Sequence, residues 1–139
     1  MRNASLMTAI ENEEKFKELI LYISQKCATD PTFGATKLNK ILFYSDFLAY
    51  ANLGKAITNF DYQKLPNGPA PRRLLPVRDE MVEQGDLGVQ EIRLWSGNIQ
   101  KRTVNLRQPN LSIFTAEEIS QVDEVIRAFE NVRAEAVSE

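Results

Sequence analysis

Three side chains with usable chemistry fall within eighteen residues: the Lys40 ammonium, the Tyr44 phenol and the Asp46 carboxylate, all in "TKLNKILFYSDFLAYANL" (36–53). If the stretch is helical, Lys40 and Tyr44 stand one turn apart, and the three could line a small-molecule or acid–base pocket with shifted proton affinities. The simpler reading is structural. Asp46 sits among apolar residues, and a buried carboxylate needs a partner, such as an arginine or the backbone N–H groups of a following proline-rich loop. That reading is preferred, with the pocket kept as an alternative.

The rest of the catalytic vocabulary is thin. The chain has no histidine and one cysteine. Histidine-dependent triads, histidine-containing zinc sites and all-thiolate zinc sites are therefore excluded. Cys27 has no imidazole to activate it and falls on an apolar helix face, so it reads as a small core residue. The acidic pairs Glu13/Glu14, Asp79/Glu80 and Glu117/Glu118 are adjacent on expected helices, where neighbours do not face each other. They read as solvated surface. "NGPAP" (67–71) lacks the spaced glycines and the Lys-Ser/Thr of a phosphate loop, and its prolines remove N–H donors. No metal or cofactor is expected.

The basic residues Arg72, Arg73, Arg78, Lys101, Arg102 and Arg107 could form one patch if a hairpin packs beside the third helix. The net charge is −2, and neither a helix-turn-helix nor an RNP signature is present. Nucleic acid is therefore disfavoured as a direct ligand, and a DNA-binding autoregulator is the weakest reading. An acidic protein partner, or simple solubility, suits such a patch better.

These residues need elements to hold them. A first helix is expected over 8–27, with Thr8 and Glu11 at capping-box spacing and Phe16, Leu19, Ile20, Ile23 and Cys27 on one face. "TDPTFG" breaks it, because the residue before a proline avoids helical geometry. The second helix, 36–53, stops at Gly54. Leu38, Ile41, Leu42, Ser45, Leu48 and Ala49 form its stripe, and Tyr44, Phe47 and Ala51 widen it until the helix suits the middle of a domain. Lys37 and Lys40 oppose its dipole in the first turn.

A short strand is expected within 56–65. Pro69 argues against a two-residue hairpin at "NG", and Pro71 suits the first turn of a third helix closed by Gly85. Gly68 permits a bend, while Pro69 and Pro71 stiffen the entry to that helix. Pro76 should start its regular part or kink it. "DLGVQEIRLWSGNIQKRTVNL" (86–106) reads as a hairpin turning at 96–98 between Trp95 and Ile99. A last helix starts at Thr115, again with a capping box to Glu118, and buries Ile119, Val122, Ile126 and Phe129.

The class is α+β: a mostly helical single domain of about four helices with a small antiparallel sheet. At 139 residues the chain supports one core. No apolar run reaches the roughly 20 residues a membrane helix needs. The first residues are too acidic for a signal peptide, which with the single cysteine gives a cytoplasmic expectation.

The stretch from Thr36 to Leu74 resembles the Panacea domain, also called the SocA-like antitoxin domain. That family pairs a "KLxKLLYYxD"-type helix with a glycine stop, a strand and a "GPxP"-type turn. The matching positions here are Lys37, Leu38, Lys40, Leu42, Tyr44 and Asp46, then Gly54, then Gly68, Pro69 and Pro71. The acid-rich closing helix is also similar. The family continues into a Ser-His segment and a Trp, whereas this chain continues into "AEAVSE" without histidine. The expectation is a single domain over 1–139 lacking that segment.

The resemblance implies a bacterial or phage antitoxin that binds and neutralises a cognate toxin protein encoded beside it, without catalysis. It also implies that at least one member is an adaptor that hands its toxin to an ATP-dependent protease. Candidate partner-binding residues are Tyr50, Tyr62, Arg72, Arg73 and Trp95, with core packing the competing role for Tyr62 and Trp95.

Overall fold

A computed structural model describes residues 10–132. The elements are α1 (Glu13–Lys26), α2 (Ala35–Leu53), β1 (Tyr62–Leu65), β2 (Gly68–Pro71), α3 (Leu74–Glu83), β3 (Leu87–Arg93), β4 (Ile99–Asn105), a 3-10 turn (Leu111–Ile113) and α4 (Ala116–Phe129). The fold is α+β, as expected. Its strands form two separate antiparallel pairs, β1–β2 and β3–β4, rather than one sheet.

Helix α1 starts later than the Thr8/Glu11 spacing predicts. Thr8 lies outside the described residues. Asn12 is the N-cap, its side chain accepting from Lys15 N at 3.0 Å. Glu11 lies ahead of the helix and instead accepts from Asp61 N and from Arg73. Glu13 and Glu14 in the first turn and Lys26 in the last complement the helix dipole.

Helix α2 ends at Gly54, whose φ of +87° gives the left-handed cap. It packs against α4 and the β1–β2 hairpin. Leu38, Ile41, Leu42 and Ala49 enter a core shared with Phe16, Leu19, Ile20 and Ile23 of α1 and with Val122, Ile126 and Phe129 of α4. Helix α4 has the full capping box: Thr115 Oγ1 accepts from Glu118 N, and Glu118 accepts from Thr115 N.

The proline-rich segment corrects two expectations. It is a two-residue hairpin, but the turn is Pro66–Asn67 and not Asn67–Gly68, with Leu65 paired to Gly68. Arg72 N donates to Asp61 O at 2.9 Å, which makes Asp61–Arg72 a hydrogen-bonded pair. Antiparallel pairs alternate, so Tyr62–Pro71 and Lys64–Pro69 are non-bonded pairs, and neither proline costs the ladder a donor. Pro71 therefore closes a strand instead of opening a helix. Pro76 lies in the first turn of α3, where an N–H has no intrahelical acceptor, and the helix runs on past it.

The strand expected over 56–65 is confined to its last four residues. Ile57 and Thr58 are buried in the preceding loop. The basic patch does not assemble either. The Arg102 guanidinium is buried and donates to the carbonyls of Cys27, Ala28, Asp30 and Phe33 in the turn between α1 and α2.

Candidate functional site

The motif residues of α2 serve two sides of the helix, one facing α4 and the turn before α2 and the other facing the hairpin and the loop before it. Lys37 is fully buried. Its Nζ lies 3.1 Å from Asp30 Oδ2 and donates to Thr32 Oγ1 and to Phe129 O at the end of α4. The charge opposed by its own helix N-terminus is thus satisfied by another helix's C-terminal carbonyl. Burial raises the Asp30 carboxyl, but donors from Thr32, Asn131 and Lys37 more than offset it, and the group stays below its ordinary range.

Lys40 is also buried, and its stem passes beneath the β1–β2 turn: a Cβ on Gly68 would lie 2.8 Å from Lys40 Cε. Tyr44 packs against the Phe129 ring at 5.7 Å and the Phe43 ring at 5.0 Å. Asp46 is a four-way anchor. Its Oδ1 accepts from Ile57 N (2.9 Å) and Thr58 N (2.7 Å), while its Oδ2 accepts from the Thr58 hydroxyl and from Tyr62 Oη (2.9 Å). The ties run to the loop ahead of β1 and to Tyr62, the first residue of that strand, neither to an arginine nor to the proline turn. Burial pushes the Asp46 carboxyl up against the pull of these donors. Burial and the Asp46 charge likewise push the Tyr62 phenol up.

Lys40, Asp46, Tyr62 and Gly68 together clamp the hairpin onto one side of α2. Thr36, Asn39, Phe43, Phe47 and Tyr50 share that side at helical spacing. The hairpin covers its N-terminal half, where Thr36, Asn39 and residues 65–69 line a cleft of about 170 Å³. The C-terminal half is open: Phe47 is 57% and Tyr50 65% exposed. Phe43 joins the halves, its ring 5.3 Å from Tyr62 and 6.3 Å from Phe47. Phe47 therefore faces solvent, contrary to the expectation that it widens the core stripe.

Of the expected partner-binding residues, Tyr50 and Trp95 are exposed, Trp95 fully so. Tyr62 is held inward by Asp46. Arg72 pairs with Asp61 at 2.9 Å, and Arg73 with Glu11 and Glu13 at 2.8 and 2.5 Å. Phe43 and Phe47 were not among the expected contacts. The signal for them was an excess: Leu38, Ile41, Leu42 and Ala49 already fill the inward face, so a further aromatic row had to lie elsewhere.

A second cleft, of about 230 Å³, lies between the C-terminal ends of α1 and α4 and is lined by charges of both signs, including Lys26, Arg127, Asp123 and Glu130. Neither cleft includes Tyr44 or Asp46. Cys27 is buried, and burial pushes its thiol up to about 12. Among the described residues no cluster of three or more His, Cys, Asp or Glu could hold a metal ion, and no helix is long and apolar enough to cross a membrane.

Comparison with curated proteins and with solved structures returned no match. The family model "Antitoxin SocA-like, Panacea domain" matches residues 38–139, which take in most of α2, the clamped hairpin, the ribbon and α4. The chain belongs to the SocA-like antitoxin, Panacea domain family.

Proposed function

We propose that this protein is a cytoplasmic antitoxin that binds and neutralises a toxin protein encoded beside it, and that the toxin seats on the open aromatic half of α2. The carrying observation is the exposure of Phe47 and Tyr50 on the very helix whose opposite side packs into the core and whose N-terminal half lies against the hairpin. Rigid aromatic side chains standing in water lose little rotamer freedom when covered, and they dominate protein interfaces for that reason. The acids and lysines of the motif are consumed by structural ties, which supports a binding role over a catalytic one.

The test is co-expression with the product of the neighbouring gene. The wild-type protein should form a stable complex and restore growth. The double variant Phe47→Glu/Tyr50→Glu should keep its melting temperature, since both side chains are exposed, yet lose rescue. Full rescue by that variant would move the interface off α2, and a neighbour that is harmless and unbound would remove the antitoxin reading. Toxin abundance in the same cells separates sequestration, which leaves it unchanged, from delivery to an ATP-dependent protease, which lowers it.

A further inference from the structure

The β3–β4 ribbon ends in a tip that, among the described residues, makes hydrogen bonds only within itself. Leu94 N donates to Asn98 O and Gly97 N donates to Leu94 O, both at 2.9 Å, with Gly97 at φ +93°. This is a three-residue loop, a tight turn followed by a left-handed glycine, and it holds Trp95 at the first corner. The indole is fully exposed, and Leu94 and Ile99 beside it are exposed as well. A large apolar side chain displayed on a preordered turn loses little conformational entropy when bound.

The charges around the tip select the partner. Arg93 lies across from Ile99, and Lys101 lies across from Glu91. Among the described residues neither Arg93 nor Lys101 makes an ion pair. Elsewhere Arg72, Arg73, Arg78 and Arg107 each meet a carboxylate of their own chain. Arg93 thus stands beside the bare indole with an apolar residue across from it, while Lys101 has Glu91 as its cross-strand neighbour.

That combination fits an apolar pocket rimmed by carboxylates. The site is separate from the α2 face. Gln100 Nε2 donates to Pro31 O, which ties the ribbon just below the tip to the turn before α2, whose first residue lies about 20 Å along the helix axis from Tyr50.

We propose that the β3–β4 tip is a second docking element, a knob that inserts Trp95 into an acid-rimmed apolar pocket on the toxin. This rests on the antitoxin reading. Because Trp95 is the one tryptophan of the chain, 5-fluorotryptophan incorporated into this protein alone reports on it directly by ¹⁹F NMR. On adding the unlabelled neighbouring-gene product, the single resonance should shift and become protected from a soluble quencher.

Trp95→Ala should leave the melting temperature unchanged and weaken the complex by about thirtyfold or more, the scale of a hot-spot residue. Arg93→Glu/Lys101→Glu should slow association and flatten its salt dependence. A wild-type complex with an unmoved fluorine signal and an undiminished Trp95→Ala affinity would overturn the knob while leaving the antitoxin reading standing. Absence of any wild-type complex would overturn both. A shift produced by anionic vesicles or by single-stranded DNA, and not by the toxin, would overturn it in favour of those ligands.

Discussion

At Gly68 the backbone φ is +128°, in a region that side-chain-bearing residues rarely adopt, and the stem of Lys40 occupies the space a Cβ would need. Gly68→Val should therefore destabilise the protein by about 1 kcal/mol from backbone strain alone, with the displacement of Lys40 added to it. Urea denaturation measures this, and an unchanged midpoint would mean the turn relaxes freely. The neighbouring prolines are tolerated for a different reason. Tyr62–Pro71 and Lys64–Pro69 are non-bonded pairs of the ladder, so what looked like an obstacle to a hairpin is compatible with one. The need for glycine at 68 was readable from the turn chemistry of "PNGPAP". The register that excuses the prolines was not, because it depends on which residue Arg72 faces across the strand pair.

Among the elements, α2 is held by polar ties at both its start and its middle. Near its start, Lys37 joins the α1–α2 turn at Asp30 to the C-terminal carbonyl of α4 at Phe129. In its middle, Asp46 fixes the loop before β1. Lys37→Met keeps the length of the side chain but leaves the buried Asp30 carboxylate without its cation. The expected cost is about 3–5 kcal/mol, the penalty for stranding one partner of a buried pair. Adding Asp30→Asn should recover part of it, and additive losses in the double-mutant cycle would show that the two groups do not depend on each other. Lys37 was legible as an anomaly, being a charge in the first turn of an apolar helix. Its partner was not: Phe129 lies 92 residues from Lys37 in the chain.

For the whole molecule, acid should be destabilising. Burial raises Glu18, but the Arg107 guanidinium (2.8 and 3.0 Å) and Asn110 N (2.7 Å) more than offset it, so the carboxyl lies below its ordinary 4.5. Asp30 is likewise lowered from 3.8. A carboxyl depressed in the folded state contributes stability above its unfolded pKa and loses it as pH falls through the folded one. Asp46, raised by burial, contributes with the opposite sign. The melting temperature should thus fall between about pH 5 and pH 3, and Glu18→Gln should flatten that fall. A profile unchanged by Glu18→Gln would place the acid sensitivity elsewhere.

Features set within a turn or two of chain could be read from the residues alone. The α4 capping box, the glycine stop of α2, the ribbon around 96–98 and the motif helix all depend on neighbours a few residues apart. Which charges are neutralised and which apolar groups face water depended on how distant elements pack. Arg102 went inward because the turn between α1 and α2 offers it four backbone carbonyls, and the expected basic patch vanished with it. Phe47 and Tyr50 stayed outside because α1, α4 and the hairpin had already covered the other sides of α2, and a helix can be apolar on more sides than its neighbours can reach.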